Sequence, residues 1–281
     1  MFERLVRSWS LIKGSAAVVR DNKSLLLFPV VSGIATIVIV VSFLLPLLGV
    51  EDFDVSSFED ETLVYVWFAL LYFALYFVSI FFNTALVSVA LLRLSGSPAT
   101  LGDGFARAAG RLPAILGYAL LAASVGILLR VIEGRVGWIG RITAGIIGVT
   151  WTVATFLAVP CLAARDIGPL EALSESATLL KRTWGENIAG NVGISFVFSL
   201  GYFAIIFGTI ALMVAAPAGQ PALLASIFIA GVAVFLATVV LHSTLQGVYA
   251  AAVYCYATLG EAAVPGLSAE ALSGAFRTRN R

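Results

Sequence analysis

Long stretches of the chain carry no charged residue, and this feature limits the fold more than any other. A helix that crosses the hydrocarbon layer of a membrane needs roughly 20 apolar residues. The first four stretches each have room for one such helix, and the fifth has room for two, divided at the proline- and glycine-containing turn 217–221. The uncharged stretches cover residues 24–50, 62–92, 112–129, 142–164 and 187–260.

The sequence therefore predicts an all-α, polytopic membrane helix bundle that forms a single transmembrane domain over residues 1–281. A transmembrane β-barrel would instead show alternating segments of about 10 residues, whereas these stretches are apolar throughout. Only 12% of the residues are charged, against about 25% in a soluble domain, which excludes an ordinary soluble enzyme. The predicted spans cover about 24–50, 62–92, 112–129, 142–164, 187–216 and 222–258.

The distribution of basic residues predicts that both termini face the cytoplasm, because cytoplasmic loops carry an excess of lysine and arginine. Loop 51–61 has six acidic residues and no base, which favours the outer side. Three arginines in loop 130–141 and the short third span leave open that spans three and four enter the membrane without crossing it. The bases on the predicted inner side are Arg4, Arg7, Lys13, Arg20, Lys23, Arg93, Arg107, Arg111, Arg165, Lys181, Arg182, Arg277, Arg279 and Arg281.

The chain also repeats one arrangement, in which a span ends, a glycine or proline turn follows and an amphipathic stretch leads on. The clearest stretch begins with Pro169 at a first helical position and is predicted to end at Gly185 as a C-terminal cap. In another, Thr100 is predicted to cap a helix together with Asp103. The spans then form three hairpins, each preceded by an amphipathic helix in the headgroup layer, although soluble docking helices fit the pattern too. These helices are predicted at about 2–20, 98–111, 169–184 and 268–276.

One family shows this arrangement. Residues 166–184 read DIGPLEALSESATLLKRTW, and with Trp9 near the start and the tyrosine-rich segment 249–256 near the end they resemble an uncharacterised prokaryotic family of six-helix membrane proteins. The helix that begins at Pro169 is also distantly similar to the membrane domains of some glycerophosphodiester phosphodiesterases. The resemblance implies a multi-pass protein of the prokaryotic inner membrane and no particular activity, since the phosphodiesterase catalytic barrel is absent from the sequence.

Few residues inside the predicted spans can carry chemistry. The chain has a single histidine, no carboxylate within a span and no metal, nucleotide or nucleophile motif. Because acid–base catalysis needs converging titratable groups, we expect no enzymatic activity and no cofactor. Coupled carriers commonly use charged residues at membrane depth, so any transport is expected to be passive. Cys161 and Cys255 are expected to be packing residues, and a net charge of +1 implies no nucleic-acid partner.

Two stripes of uncharged polar residues are the candidate site. Residues of each stripe recur at helical spacing and share a face, and the two helices are adjacent and antiparallel. The stripes predict either a hydrated path or binding cleft with His242 near its middle, or interhelical hydrogen bonds that contribute about 0.6 kcal/mol each. The stripe on span five is Asn187, Asn191, Ser195 and Ser199, and the stripe on span six is Thr238, His242, Gln246 and Tyr249.

Two functions fit these observations. The first is a passive path for a small solute or lipid, formed by one chain or a homo-oligomer. The second is a non-transporting organiser or adaptor that binds lipid headgroups or a partner protein, since basic residues near a membrane surface attract anionic lipids by about 1 kcal/mol each. Asn83 is interpreted as an interfacial residue. The candidates for contact with lipid headgroups are Arg107, Arg111, Lys181, Arg182 and Trp184.

Overall fold

The computed structural model describes residues 16–48, 61–135, 137–217 and 220–259, and within these ranges every regular element is helical. Residues 16–20 of the predicted helix 2–20 are helical, and the rest of that helix lies outside the described residues. The predicted helix 268–276, nearly all of the acidic loop 51–61 and the centre of the turn 217–221 lie outside them as well.

Eight α-helices follow the helical residues 16–21 in the described ranges, with short 3-10 helices before and after the first of the eight. Their order follows the predicted alternation of spans and connecting segments. They are α1 (Leu27–Leu44), α2 (Glu61–Leu94), α3 (Leu101–Gly110), α4 (Leu112–Arg135), α5 (Gly137–Ala154), α6 (Ala158–Ala164), α7 (Pro169–Ala215) and α8 (Pro221–Leu259).

Six helical stretches are long and apolar enough to cross a membrane, which confirms the predicted all-α, six-span class and makes the chain a membrane protein. The third stretch extends beyond the uncharged run to Gly134, which at the helical rise gives roughly 35 Å against a hydrocarbon core of about 30 Å. Spans three and four therefore both have the length to cross. The stretches are Lys23–Leu44, Thr62–Leu94, Leu112–Gly134, Gly140–Ala164, Gly193–Ala215 and Pro221–Cys255.

The turn after α2 ends that helix where the sequence predicts it. Gly96 has a φ of 79°, a conformation that only glycine adopts at low cost. The N–H of Ser97 donates to the carbonyl of Leu92 at 2.9 Å, and the N–H of Gly96 donates to the carbonyl of Arg93 at 3.0 Å. These two bonds form a Schellman motif. At the next turn Pro169 begins α7, again as predicted.

Helix α3 begins with the predicted capping box. The N–H of Asp103 donates to Thr100 Oγ1 at 3.3 Å, and the N–H of Thr100 donates to Asp103 Oδ2 at 2.7 Å. The hydrogen bonds from Thr100 hold the pKa of the Asp103 carboxyl below its ordinary value. The cap therefore fixes the start of α3 next to the end of α2.

The apolar face of α3 contacts protein. Gly104 and Ala108 are buried, while Arg107 is exposed. A Cβ at Gly104 would come within 2.7 Å of the Ala85 carbonyl oxygen, so glycine allows α3 to lie directly against α2. The Phe105 ring packs against Phe28, with 5.2 Å between their centroids. This helix thus covers the end of the core.

The predicted end of the interfacial helix at Gly185 is wrong. Helix α7 continues without interruption from Pro169 to Ala215, so the predicted helix 169–184 and the predicted span 187–216 form one helix. A glycine inside a helical pattern costs about 1 kcal/mol relative to alanine and is tolerated. Because no proline follows Gly185 before the span begins, nothing removes a helical hydrogen bond there.

The protein core lies at one end of the bundle. We call this the connector end, because segments 95–100 and 165–168 lie there, and we call the opposite end, at the turn 217–221, the far end. The second half of α2, all of α6 and the last turns of α8 are buried almost throughout. Toward the far end the long apolar side chains of α1, α5, α7 and α8 are mostly exposed, as expected of surfaces that face lipid.

Candidate functional site

A cavity of about 440 Å³ lies between α1, α2, α5–α6 and α8. Its size falls in the range of small-molecule sites, about 300–1,000 Å³. The residues that line it are apolar or carry uncharged polar side chains, with no Lys, Arg, Asp, Glu or His among them. The polar lining consists of Ser32, Ser79, Asn83, Thr152, Thr155, Ser243 and Gln246.

The lining residues lie inside the spans at comparable depths. At the helical rise, Ser32 lies roughly 14 Å from Lys23, where the first span begins, and Gln246 lies roughly 14 Å from Cys255, where the sixth ends. Both of these span ends belong to the connector end. The cavity therefore belongs to the half of the bundle nearer that end.

Close helix contact brings the polar residues of α2 and α8 together. A Cβ at Gly247 would collide with the Leu86 side chain and come within 3.3 Å of Asn83 Oδ1. Glycine therefore lets α8 approach α2 at the level of the cavity. Ser79 and Asn83 lie one turn apart on the same face of α2 and are both exposed, so this wall of the cavity is open.

A break in the fourth span forms another wall. The span predicted as one helix over 142–164 consists of α5 and α6, joined by a turn at residues 155–157. Pro160 explains the break, because proline has no N–H and its ring clashes with the carbonyl four residues earlier. Thr155, Phe156 and Pro160 all line the cavity.

Ser176 of α7 satisfies the backbone groups that this break frees. Its Oγ accepts a hydrogen bond from the N–H of Leu157 at 3.0 Å and donates to the carbonyl of Ala154 at 2.7 Å. Ser176 is fully buried. Since an unsatisfied backbone group inside a membrane is costly, this serine stabilises the broken helix.

The polar stripes of α7 and α8 meet, as their spacing predicts. Gln246 Nε2 donates to Ser195 Oγ at 3.3 Å, and the Tyr202 hydroxyl lies 3.0 Å from His242 Nδ1. The His242 ring stacks on Phe198 with 4.4 Å between centroids. Its Nε2 is buried without a hydrogen-bond partner among the described residues. We call these contacts the α7–α8 seam, and Gln246 joins the seam to the cavity.

The described side chains among the other stripe residues have different surroundings. Thr238 donates to the carbonyl of Val234 in its own helix, and Ser199 is exposed. Tyr249 is buried in the core with its ring 6.1 Å from that of Phe156. The side chains of Asn187 and Asn191 lie outside the described ones.

The residues predicted to contact lipid headgroups also differ in their exposure. Arg107 and Lys181 are exposed. Arg111 is mostly buried and forms an ion pair with Asp166, so its charge serves a contact between α3 and the segment before α7. The side chains of Arg182 and Trp184 lie outside the described ones.

Sequence reasoning missed several residues of the site. Tyr202 lies on the same helix as the predicted stripe but off its four-residue spacing, so only the fold shows its contact with His242. Ser79 precedes Asn83 by one turn, and this pair at helical spacing was an available signal for a polar face on α2. The described residues contain no cluster of three His, Cys, Asp or Glu side chains suited to a metal ion.

Comparison with known proteins identifies a family but no activity. No curated protein and no solved structure matches the chain significantly. The resemblance to glycerophosphodiester phosphodiesterase membrane domains therefore has no support from these comparisons. A profile described as a family of unknown function matches residues 62–264, which include five of the six spans and every lining residue of the cavity beyond α1. The chain therefore belongs to the family of unknown function DUF6159.

Proposed function

We propose that the protein is a passive, non-catalytic path that takes a small uncharged polar solute or a lipid into the membrane through the cavity. The cavity itself carries this proposal, because about 440 Å³ of space with an uncharged polar lining lies within the spans. A bundle that served only to anchor the chain would gain nothing from polar side chains facing a space of this size. Passive movement fits the lining, which has no ionisable group to couple to an ion gradient.

The orientation is part of the same proposal. Exposed Arg107 and Lys181 lie at or near the connector end, and the sequence assigns their segments to the basic side of the membrane. We therefore place the connector end and both termini in the cytoplasm, with the protein in the prokaryotic inner membrane. The cavity then lies in the cytoplasmic half of the bilayer.

The test is the movement of two probes through vesicles that contain the purified protein. One probe is glycerol, followed by light scattering, and the other is a fluorescent glycosyl diacylglycerol, followed by its transfer between leaflets. We expect at least one probe to move faster than in protein-free vesicles. If both probes move at the protein-free rate, the proposal is wrong.

Two threonines of α5 provide a matched pair of variants. Thr152 and Thr150 are both exposed and both donate to the carbonyl one turn earlier, but only Thr152 lines the cavity. Thr152→Phe should reduce movement of the probe to near the protein-free rate, because the ring fills the cavity. Thr150→Phe should leave the wild-type rate unchanged. Equal rates for the two variants would show that the path does not use the cavity.

An adaptor that binds anionic lipid is the second candidate, supported by the exposed bases Arg107 and Lys181. Its test is the anionic phospholipid that co-purifies with the protein, measured by mass spectrometry. Retention that falls in an Arg107→Gln, Lys181→Gln double variant, in a protein that moves neither probe, would favour the adaptor. Retention unchanged by these substitutions would remove its support.

A further inference from the structure

The cavity opens on the surface that faces lipid. Two lining residues of α2, Ser79 and Asn83, are exposed within their span, and exposed Val149 lies one turn before the lining residue Thr152 on the same face of α5. Thr152 is itself exposed among them. A molecule that enters the cavity from this side comes from the bilayer and does not have to cross a layer of protein.

Toward the far end α7 and α8 are not covered by the other described helices. In the most apolar windows of Gly193–Ala215 and Pro221–Cys255 no residue is buried. Large side chains such as Phe203 and Phe228 are more than half exposed there. A free solute would have no water-filled passage along this part of the chain, whereas a lipid keeps its tails in the bilayer wherever its headgroup lies.

Polar groups nevertheless continue along α7 and α8 from the cavity toward the far end. Gln246 lines the cavity and donates to Ser195, and the pair of Tyr202 and His242 lies about one turn farther out on α8. Farther out, Thr209 of α7 lies against Gly231 of α8, but its hydroxyl donates to the Ile205 carbonyl of its own helix. From Gln246 to His242 the row covers roughly 6 Å at the helical rise.

The chemistry of the lining selects the headgroup. Hydroxyl and amide groups donate and accept hydrogen bonds and match a headgroup rich in hydroxyls. No lysine or arginine lines the cavity, and the described contacts of the seam include none. A phosphate would therefore lie in a low-dielectric site without a partner for its charge, which is strongly unfavourable.

We propose that the ligand is a membrane lipid with an uncharged, hydroxyl-rich headgroup, such as a glycosyl diacylglycerol, which enters the cavity sideways from the bilayer and moves its headgroup along the α7–α8 seam. This inference rests on the proposed function and names its substrate class. Glycerol shares the hydroxyl chemistry of such a headgroup, so the geometry and not the hydrogen bonding separates the lipid from a free solute.

The experiment uses the full chain in phosphatidylcholine vesicles with a trace of fluorescent lipid whose label dithionite quenches in the outer leaflet. The probes are a labelled glucosyl diacylglycerol and a labelled phosphatidylglycerol, beside unlabelled glycerol. We expect the glucosyl lipid to exchange leaflets about tenfold faster than the anionic lipid after subtraction of the protein-free rates, since the site offers no partner for a phosphate.

Two sets of variants test the route. Tyr202→Phe combined with His242→Phe removes two polar groups of the seam, the hydroxyl and the imidazole, while it keeps ring side chains, and should slow the glucosyl lipid. Thr238→Val is the control, because the Thr238 hydroxyl donates within its own helix, and it should keep the wild-type rate. Each variant is first checked for a monodisperse elution profile, and Thr152→Phe provides a second way to block the route if the double variant does not fold.

The outcomes separate this inference from the proposed function. If glycerol moves and the glucosyl lipid does not, the inference is wrong and the passive path stands. If both lipids exchange equally fast, selection of an uncharged headgroup is wrong. If neither glycerol nor the glucosyl lipid moves above the protein-free rate, both proposals fail.

Discussion

The two ends of helix α8 have the same kind of sequence and very different surroundings. Residues 221–241 and 244–255 are both rich in alanine, valine and leucine without a charge. The first segment is largely exposed, whereas every residue of the second is buried or nearly so, apart from half-buried Gln246. Apolar composition therefore shows that a segment prefers lipid or core to water, but it does not distinguish between the two.

Neighbouring helices make the difference. At the connector end α8 packs against α2 and α6 as well as α7, and small residues such as Ala251 and Ala252 permit close approach. Toward the far end its side chains are mostly exposed, as expected of a surface that faces lipid. We infer that the stability of the bundle is concentrated at the connector end, which leaves the far end free to serve as a surface along which lipid moves.

The largest expected effect compares one phenylalanine from each end. Phe28 is 1% exposed and packs on Phe105, whereas Phe228 is 55% exposed. Phe28→Ala should lower the free energy of unfolding by about 3 kcal/mol, because it leaves a cavity in packed protein. Phe228→Ala should change it by less than about 0.5 kcal/mol, because lipid replaces the ring. Denaturation in mixed detergent micelles measures both.

Comparable losses for the two variants would show that stability is spread evenly along the spans. A smaller loss for Phe28→Ala than for Phe228→Ala would reverse the comparison. The inference that stability is concentrated at the connector end would then have to be abandoned.

An intermediate effect is expected for a pair of serines. Ser176 hydrogen-bonds both sides of the break between α5 and α6, while Ser226 near the far end is exposed and donates to the Leu223 carbonyl of its own helix. Ser176→Ala should cost about 1–3 kcal/mol, because a buried N–H and carbonyl lose their partner. Ser226→Ala should stay within about 0.5 kcal/mol.

The same denaturation experiment measures the two serine variants. Hydrogen exchange at the N–H of Leu157 adds a local readout, since Ser176→Ala should accelerate it. Unchanged exchange there would mean that the broken helix does not depend on α7.

The features that could be predicted from the sequence are those that depend on residues close together along the chain. The six spans, the turn at Gly96 and the cap at Thr100 follow from runs of apolar residues and from side chains within five positions of one another. The meeting of the two polar stripes also followed, because two adjacent helices joined by a short turn are antiparallel. These are the cases in which local chemistry and the membrane together leave few alternatives.

The features that sequence reasoning missed depend on partners from distant helices. The fourth span was predicted as one helix over 142–164 although it contains Pro160, and only the fold shows that Ser176 satisfies the backbone at the break. Gly185 looks like a helix end, yet α7 passes through it. Residues from four separate helical segments line the cavity. The spacing of residues within a single segment could therefore not predict it.

The smallest expected effect is a change in how the free energy of unfolding depends on pH. It tests how far the connector end depends on the cap of α3. The hydrogen bonds from Thr100 lower the pKa of Asp103 from its ordinary value of 3.8. A carboxyl with a lowered pKa in the folded state binds protons more readily when unfolded, so its stabilisation is fully present above 3.8 and is lost as the pH falls through the lowered value. Asp103→Asn should therefore reduce the loss of stability between neutral and acidic pH, measured by denaturation in micelles at both.

Asp21→Asn removes an exposed aspartate that is not in a capping box and should keep the wild-type difference. An equal pH response in the wild type and Asp103→Asn would show that the charge of this cap does not help to hold α3 on the core.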